Sequence, residues 1–402
     1  MAKAKIRYAW PFAATTPAFQ EELAKRFNEQ SKTTEVEVEI IPQAQVVAKL
    51  TAAFSSGAGP DVLAMSPAWL TQFAAGGWLE NMEEGLRSSG LEKDLLPVAL
   101  AQGRMYKDTA YMIGSILDVY PLYYNKQIFA DAGIAAPPAT LDEFEEVARK
   151  LTDASKNRFG YYLLGGPTWS YQQWSTWSLN TAGIGVKNTL YDANKKSIVN
   201  SPQQVAGFER WAEMYRTAKV SPPASATATF QDASNAFSAG QIGMVMGFLG
   251  YTAAFTKSLG ADKFGVAVTP AGPAGQFFHY GCNGFCIGAQ SKNKDAAWEF
   301  VQYLLSAEVN ELVNKEWGAI PTHRTALNAA YLKTPHFEAP TAMAQKDTAH
   351  VHTPRQLPEW ARFFEKFAPE QIQKALLGQQ TAQQSLDEMA KYLDDAMATS
   401  GA

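Results

Sequence analysis

The chain has 402 residues, of which 46% are hydrophobic and 18% are charged, and its formal net charge is -4 at pH 7. A chain of this length exceeds one ordinary compact core, so we expect two domains. The mildly acidic balance offers no basic surface for nucleic acid or for an anionic membrane, which argues against partners of those classes. No apolar run approaches the roughly 20 residues that a membrane-spanning helix needs.

The N-terminus and the cysteines leave the cellular compartment open. Met1 to Arg7 contains no apolar core of a signal peptide, so an export signal removed from the mature chain would not be visible. Cys282 and Cys286 lie four residues apart in an apolar run. In a strand their Cα atoms would be about 13 Å apart, which is too far for a disulfide. We therefore expect no disulfide between them.

Strands and helices alternate through the first eighty residues. Apolar residues at every second position predict strands, and apolar residues every three or four positions predict helices. The predicted strands are 6–10, 36–40 and 61–65, and the predicted helices begin at 17, 46 and 67. This order implies an α/β fold with a mainly parallel sheet flanked by helices. Such sheets bind ligands beyond the carboxyl ends of their strands, where Phe12, Gln43 and Ser66 lie.

A second α/β region follows in the chain. Capping-box sequences at Thr140–Glu143, Ser201–Gln204 and Thr381–Gln384 predict three helix starts. Residues 264–268 and 285–289 are predicted strands, and 295–305 is a predicted helix. The sequence has no internal repeat and no low-complexity linker. We therefore expect the chain to cross several times between the two domains, so that the crossings form a hinge and not a flexible tether.

Four stretches, in the same order along the chain, resemble motifs of one known family. They are Gly57–Ser66, Pro121–Gly133 with its Tyr124-Asn125-Lys126 sequence, Ser291–Phe300, and Gly318–Pro321. These stretches are similar to those of the extracellular solute-binding proteins of carbohydrate ABC transporters (family 1, the maltose-binding-protein-like group). The second stretch, followed by Thr140–Phe144, is the most specific of the four.

The resemblance implies a two-lobed periplasmic-binding-protein fold with type II-like topology. The N-terminal lobe would comprise 1–113 plus 283–322 and the C-terminal lobe 114–282 plus 323–402, with a ligand cleft between them. It also implies high-affinity capture of a sugar or sugar derivative, hinge closure, and delivery to the transmembrane subunits of an ABC transporter. The protein would be a monomer in the periplasm or tethered outside the membrane, with no catalysis, cofactor or metal.

Aromatic residues are candidates for the ligand site, because sugars present apolar C–H faces that stack on aromatic rings. Trp169 follows a predicted strand end, and we expect it to line the cleft. Trp174 is assigned with even weight to the cleft or the core, whereas Trp177 is assigned to the core. Trp360 precedes a terminal helix at which family members often carry a stacking aromatic residue. Phe12 is a further stacking candidate.

The other predicted ligand-binding residues are Gln43, Ser66, Asp118, Tyr120, Gly247, Phe248, Asn283 and Arg324. Asp118 is a lone carboxylate in an apolar stretch, so either ligand hydroxyls or a backbone or arginine partner must satisfy it. The glycine-rich segments 247–250 and 279–284 are predicted turns in which the backbone could approach a ligand closely. Arg324 would bind hydroxyls or an anionic substituent, or would form a surface salt bridge.

Two other interpretations remain open. The sequence has no Walker loop, nucleophile elbow, His-Glu-x-x-His motif or complete dinucleotide fingerprint, but it is compatible with the paired carboxylates of a carbohydrate-active hydrolase or lyase. It is also compatible with a binder of the same fold for a non-sugar or anionic (phosphorylated or sulfonated) ligand, or for ferric ion through Tyr123-Tyr124 or Tyr161-Tyr162. His350 and His352 lack neighbouring ligands, so they do not predict a metal site.

Overall fold

The structure is a computed structural model that describes residues 2–12, 17–42, 45–167, 170–182, 190–346 and 355–400. The chain divides into two compact units, each built from three separate stretches. The first unit comprises Met1–Asp118, Gly281–Leu332 and Arg355–Trp360, and the second comprises Val119–Tyr280, Lys333–Pro354 and Ala361–Ala402. The lobe boundaries after 113, 282 and 322 that the resemblance implies remain a prediction.

The N-terminal stretch has the predicted alternation of strands and helices. Its elements are β1 (Ala4–Trp10), α1 (Pro17–Gln30), β2 (Thr34–Ile40), α2 (Val46–Ser55), β3 (Val62–Met65), α3 (Pro67–Ala75), α4 (Glu83–Ser89), α5 (Pro97–Gly103) and β4 (Ile113–Val119). The apolar face of α1 buries Leu23 and Phe27, as the spacing of these residues predicts. Pro67 is the first residue of α3. A backbone N–H at this position has no partner within the helix, so proline loses no hydrogen bond there.

The second unit continues the chain with shorter strands and longer helices. Its elements are β5 (Leu122–Asn125), α6 (Lys126–Asp131), α7 (Leu141–Leu151), β6 (Phe159–Tyr161), α8 (Ser170–Ala182), α9 (Pro202–Arg216), α10 (Phe230–Ser238), β7 (Ile242–Met246), α11 (Gly250–Ser258) and β8 (Phe264–Ala267). The predicted capping box before α7 is confirmed. The Glu143 N–H donates to Thr140 Oγ1 at 3.2 Å, and the Thr140 N–H donates to Glu143 Oε2 at 3.3 Å.

The remaining elements contribute to both units. They are β9 (Tyr280–Ile287), α12 (Lys294–Leu305), α13 (Ala307–Trp317), β10 (Ile320–Pro321), α14 (Pro335–Ala344), α15 (Trp360–Arg362), a π-helical segment (Phe363–Phe367), α16 (Ala368–Leu376) and α17 (Ala382–Ser400). The capping box before α17 is also confirmed, because the Gln384 N–H donates to Thr381 Oγ1 at 3.1 Å and the Thr381 N–H donates to Gln384 Oε1 at 2.9 Å. No helix within the described ranges is both long and apolar enough to cross a bilayer.

The two sheets are mixed rather than mainly parallel. The first unit has a six-stranded sheet in the order β10-β4-β9-β3-β1-β2, and the second has a four-stranded sheet in the order β6-β7-β5-β8. Parallel pairs join β1 to β2 and β3, and β6 to β7. The pairs of β9 with β3, β10 with β4, and β5 with both β7 and β8 are antiparallel. The N-terminal β-α pattern therefore predicts the parallel half, while β9 and β10 enter that sheet from distant sequence and each pairs antiparallel with one neighbour.

One predicted turn is wrong. The sequence predicts a turn across 279–284, but Tyr280–Ile287 forms the continuous strand β9. Glycine serves the strand here by letting a neighbour approach. A Cβ on Gly284 would lie 2.2 Å from the carbonyl oxygen of Ile113 in the adjacent strand β4. Cys282 and Cys286 of this strand are both free and buried.

The predicted capping box at Ser201 is also wrong, although α9 does begin there. Ser201 occupies the N-cap position, but its side chain makes no capping hydrogen bond, and its Oγ is buried without a partner. Its N–H donates instead to the carbonyl of Ile198 at 3.0 Å. This N–H is therefore already satisfied, and the Gln204 side chain is buried rather than turned back to the cap.

Candidate functional site

A small pocket lies in the second unit, next to the ends of β6 and β7. It is lined by Tyr120, Leu164, Gln172, Gln173, Thr176, Met246 and Gly247. Its volume is about 10 Å³, about the space that one water molecule needs and far below the roughly 300–1,000 Å³ of pockets that enclose a whole ligand. The pocket can therefore take a single small group, such as one hydroxyl. No lining residue carries a formal charge.

Helix α8 supplies the polar lining of this pocket. Every residue of α8 from Ser170 to Asn180 is buried, although most of them are polar. Buried polar groups require hydrogen-bond partners, so the partners of each side chain on this helix indicate what it does.

Gln173 joins the strand ends that form the pocket wall. Its Oε1 accepts hydrogen bonds from the Tyr161 hydroxyl at 2.8 Å and from the Leu164 N–H at 2.9 Å. Its Nε2 donates to the carbonyl of Met246 at 3.1 Å. Burial raises the pKa of Tyr161, which keeps this hydroxyl protonated as a donor. Gln173 is thus a positioning residue whose amide oxygen and nitrogen are both engaged by the protein.

The neighbouring Gln172 differs in one respect. Its side chain is only 8% exposed, yet its Oε1 is buried with no hydrogen-bond partner. Its backbone carbonyl accepts from Thr176 Oγ1 at 2.7 Å. Two residues of the pocket lining therefore interact with each other through the backbone, while the Gln172 amide oxygen keeps its acceptor capacity for another molecule.

Tyr120 is half-buried and is held from two sides. Its backbone carbonyl accepts from Thr269 Oγ1 at 2.8 Å, and its ring lies edge-on to the His279 ring at a centroid distance of 6.2 Å. A 2.5 Å hydrogen bond joins His279 Nε2 to Ser175 Oγ of α8. These contacts fix the Tyr120 ring relative to the helix that carries the glutamines.

Two predicted aromatic residues of the second unit, Trp174 and Phe248, are more buried than Tyr120. Trp174 is fully buried, with its ring centroid 5.6 Å from those of Tyr171 and Phe208. Phe248 is 7% exposed and its ring contacts that of Phe230 at 4.3 Å. A ligand contact for either residue remains a prediction. Gly247 lines the pocket, and a Cβ there would lie 2.3 Å from the Tyr251 ring, so the packing of Tyr251 requires a glycine.

Phe12 belongs to an aromatic cluster in the first unit. Its ring is stacked with Trp69 at 6.0 Å and lies edge-on to Trp10 and Trp317 at 5.2 Å each. Phe12 is 5% exposed. The Trp10 indole N–H donates to its carbonyl at 3.2 Å. The segment after β1 is therefore apolar, and the stacking role of Phe12 remains a prediction.

Asp118 is a buried carboxylate, 6% exposed, in the first unit. It lies within electrostatic range of Cys282. Burial raises the pKa of that thiol to about 12, the charge of Arg355 opposes the rise, and that of Asp118 adds to it. Arg355 Nη1 donates to Gln102 Oε1 at 2.7 Å. The first unit thus has one acidic and one basic side chain near Cys282 of β9.

The remaining predicted residues that the structure describes belong to the first unit. Ser66 caps α3 by accepting from the Ala68 N–H at 3.3 Å, and Asn283 is half-buried in β9. Arg324 is exposed and its Nε donates to the carbonyl of Lys93 at 3.2 Å. Trp360 is 2% exposed. The predictions at Gln43, Trp169, His350 and His352 lie outside the described residues.

Sequence reasoning missed Gln172, Gln173 and Thr176. Glutamine and threonine are common on exposed helix faces, so their side chains alone gave no signal. The signal that could have identified them is the composition of α8 as a whole, in which three rings alternate with small polar residues and amides without a charged face. In the described part of the chain, no group of three or more His, Cys, Asp or Glu side chains could hold a metal ion.

Comparisons with known proteins agree with this architecture. The family model for bacterial extracellular solute-binding protein matches residues 12–311. The chain is 28% identical over 366 residues to the diacetylchitobiose binding protein of Streptomyces coelicolor, covering 88% of this chain and 80% of the relative. It is 25% identical over 296 residues to the maltotriose-binding protein of Pyrococcus abyssi, covering 71% of this chain and 59% of the relative.

A solved structure extends the likeness over the whole chain. An ABC transporter solute binding protein from Thermotoga lettingae, bound with α-D-tagatose, superposes with a TM-score of 0.87 at 23% identity, covering 99% of this chain and 100% of that one. The predicted α/β fold of the two-lobed binding proteins is therefore confirmed.

Proposed function

Since the chain belongs to the family of bacterial extracellular solute-binding proteins, we propose that it captures a neutral sugar, sugar derivative or polyol and delivers it to an ABC importer. The observation that carries this proposal is the uncharged lining of the pocket in the second unit, to which Tyr120, Gln172 and Thr176 contribute an aromatic ring, an amide and a hydroxyl. The names of the two relatives, which bind diacetylchitobiose and maltotriose, support the same ligand class.

The lining matches the two kinds of surface on a sugar ring. The Tyr120 ring and the apolar side chains of Leu164 and Met246 offer contacts to C–H faces. The Gln172 amide can accept and donate, and the Thr176 hydroxyl can accept, hydrogen bonds with ligand hydroxyls. A phosphate or sulfonate at this place would be desolvated without a countercharge from the lining, which is costly. A neutral ligand is therefore favoured over an anionic one here.

Several further statements belong to this proposal. The ligand favours a hinge-closed state because that state gives it more contacts. The closed form is the one that the transmembrane subunits of the importer accept. The protein acts outside the cytoplasmic membrane, in the periplasm or tethered to the cell surface, as a monomer. It binds its ligand without transforming it, and Asp118, Phe12 and the other predicted residues of the first unit also contribute contacts to the ligand.

The proposal is tested by isothermal titration calorimetry of the full chain against maltotriose, diacetylchitobiose, tagatose, erythritol and glucose 6-phosphate. We expect at least one neutral compound to bind with a free energy of about -8 kcal/mol or better, which corresponds to micromolar affinity. The bound compound should be recovered unchanged by chromatography. Binding of the phosphorylated sugar alone, binding of none of the five, or recovery of cleaved products would contradict the proposal.

A further inference from the structure

Three glutamines in the described ranges bury a side-chain oxygen that has no hydrogen-bond partner, namely Gln172, Gln204 and Gln371. All three lie in the second unit, and their side chains are 8%, 1% and 4% exposed. An unpaired buried carbonyl oxygen lowers the stability of the folded chain, because it has lost its hydrogen bond to water and gained none. Such an oxygen therefore reduces the stability of the folded chain unless a hydrogen-bond donor from outside the protein binds to it.

Only one of these three glutamines lines the pocket next to β6 and β7, and that is Gln172. The adjacent Gln173 holds the pocket wall with both ends of its amide, so the two neighbours have separate tasks. Gln172 Oε1 is a buried acceptor, and the residues that line the recess together with Gln172 supply a tyrosine ring, apolar side chains and a hydroxyl. A group that fits this oxygen must be a hydrogen-bond donor, and on a neutral sugar the donors are hydroxyls.

We infer that Gln172 is a specificity-determining residue, whose Oε1 accepts a hydrogen bond from one particular hydroxyl of the bound sugar. This inference rests on the proposed function and names the ligand group, a hydroxyl, that the site recognises. A site built to bond a hydroxyl rejects analogues that lack it, because the buried polar atom of the protein is then left unpaired. An oxygen that has no partner among the described protein atoms thus becomes the source of selectivity when the ligand is bound.

The test compares Gln172→Met with Gln204→Met. Methionine keeps the approximate length and volume of the side chain and removes the amide. Gln204 is the matched control, since it also has a buried, unpaired Oε1 in the second unit but is absent from the pocket lining. The probe is whichever of maltotriose, diacetylchitobiose, tagatose or erythritol binds the unmodified chain most tightly, together with its monodeoxyfluoro analogues, in which a fluorine replaces one hydroxyl and cannot donate.

We expect Gln172→Met to weaken the probe about tenfold or more, which is the loss of one buried hydrogen bond, while Gln204→Met changes the affinity less than twofold. Without ligand, the unfolding temperature of Gln172→Met should equal or exceed that of the unmodified chain. One deoxyfluoro analogue should bind the unmodified chain about tenfold more weakly than the parent sugar, and Gln172→Met should bind that analogue and the parent equally.

Three results would overturn the inference. The first is an affinity of Gln172→Met within twofold of the unmodified chain. The second is a loss of affinity accompanied by a lower unfolding temperature of the unligated variant, since the glutamine would then be structural. The third is the persistence of the deoxyfluoro discrimination in Gln172→Met. Failure of the unmodified chain to bind any of the four probes would be a different result, because it overturns the proposed function and the inference falls with it.

Discussion

Replacing Gln173 by methionine should destabilise the second unit strongly, in contrast to the same change at Gln172. The substitution leaves three buried groups without their partner, which are the Tyr161 hydroxyl, the Leu164 N–H and the Met246 carbonyl. Their residues are at most 3% exposed, so water does not replace the lost bonds. At about 1 kcal/mol for each group, near the lower end of the usual range, the free energy of unfolding should fall by about 3 kcal/mol.

This loss can be read as a shift in unfolding temperature. For a domain of about 150–250 residues, 1 kcal/mol corresponds to about 2–4 °C, so we expect a drop of about 6–12 °C for Gln173→Met. The assay is differential scanning calorimetry of the unligated chain, with Gln172→Met and Gln204→Met as controls for the loss of an amide. A drop of less than about 2 °C, or an equal drop in all three variants, would refute the argument that Gln173 is the residue that holds the pocket wall.

Two further predictions concern pH. Burial raises the pKa of Cys282 to about 12. The contribution of this thiol to the free energy of unfolding is therefore complete below the unfolded pKa of about 8.5 and is lost as the pH rises towards 12. Urea unfolding at pH 8 and pH 10 should show a larger loss of stability for the unmodified chain than for Cys282→Ala, and equal losses would contradict this prediction. The hydrogen bond from Arg104 lowers the pKa of Glu83, so Arg104→Met should cost about 1 kcal/mol at pH 7. That difference should decrease as the pH falls below about 4.5 through the lowered pKa of Glu83, and a difference that stays the same between pH 7 and pH 3 would contradict it.

The fold could be predicted from sequence wherever a local signal determined the structure. The alternation of strands and helices from Ala4 to Ala75 follows from apolar periodicity, and the boxes at Thr140 and Thr381 form because each capping hydroxyl and each partner side chain is available. Ser201 has the same local pattern but fails. Its N–H is taken by the Ile198 carbonyl, a contact made by the preceding loop that the four-residue pattern does not contain.

Long-range contacts explain the remaining differences. Glycines at 281 and 284 favour a turn when considered alone, yet Gly284 serves a strand because Ile113 of a distant segment passes close to it. The antiparallel direction of β9 next to β3 likewise depends on how the chain returns to the sheet. Neither fact is encoded within a window of a few residues.

The candidate site was predicted only in part. Tyr120 and Gly247 line the pocket. The sequence indicates Tyr120 through its position beside Asp118, and Gly247 through the glycine-rich segment 247–250. Gln172 was missed because an amide in a helix gives no indication of burial. Its importance comes from an unpaired oxygen, which is a property of the packed structure and not of the residue type. Periodicity identifies faces of helices, but it does not identify which polar atoms the fold leaves without a partner.

The most direct test of the account is a crystal structure of the full chain with the tightest-binding neutral sugar. We expect an intact sugar beside the Tyr120 ring, with one of its hydroxyl oxygens about 2.5–3.0 Å from Gln172 Oε1. A ligand located away from this pocket, or one that leaves Gln172 Oε1 without a donor, would contradict the account.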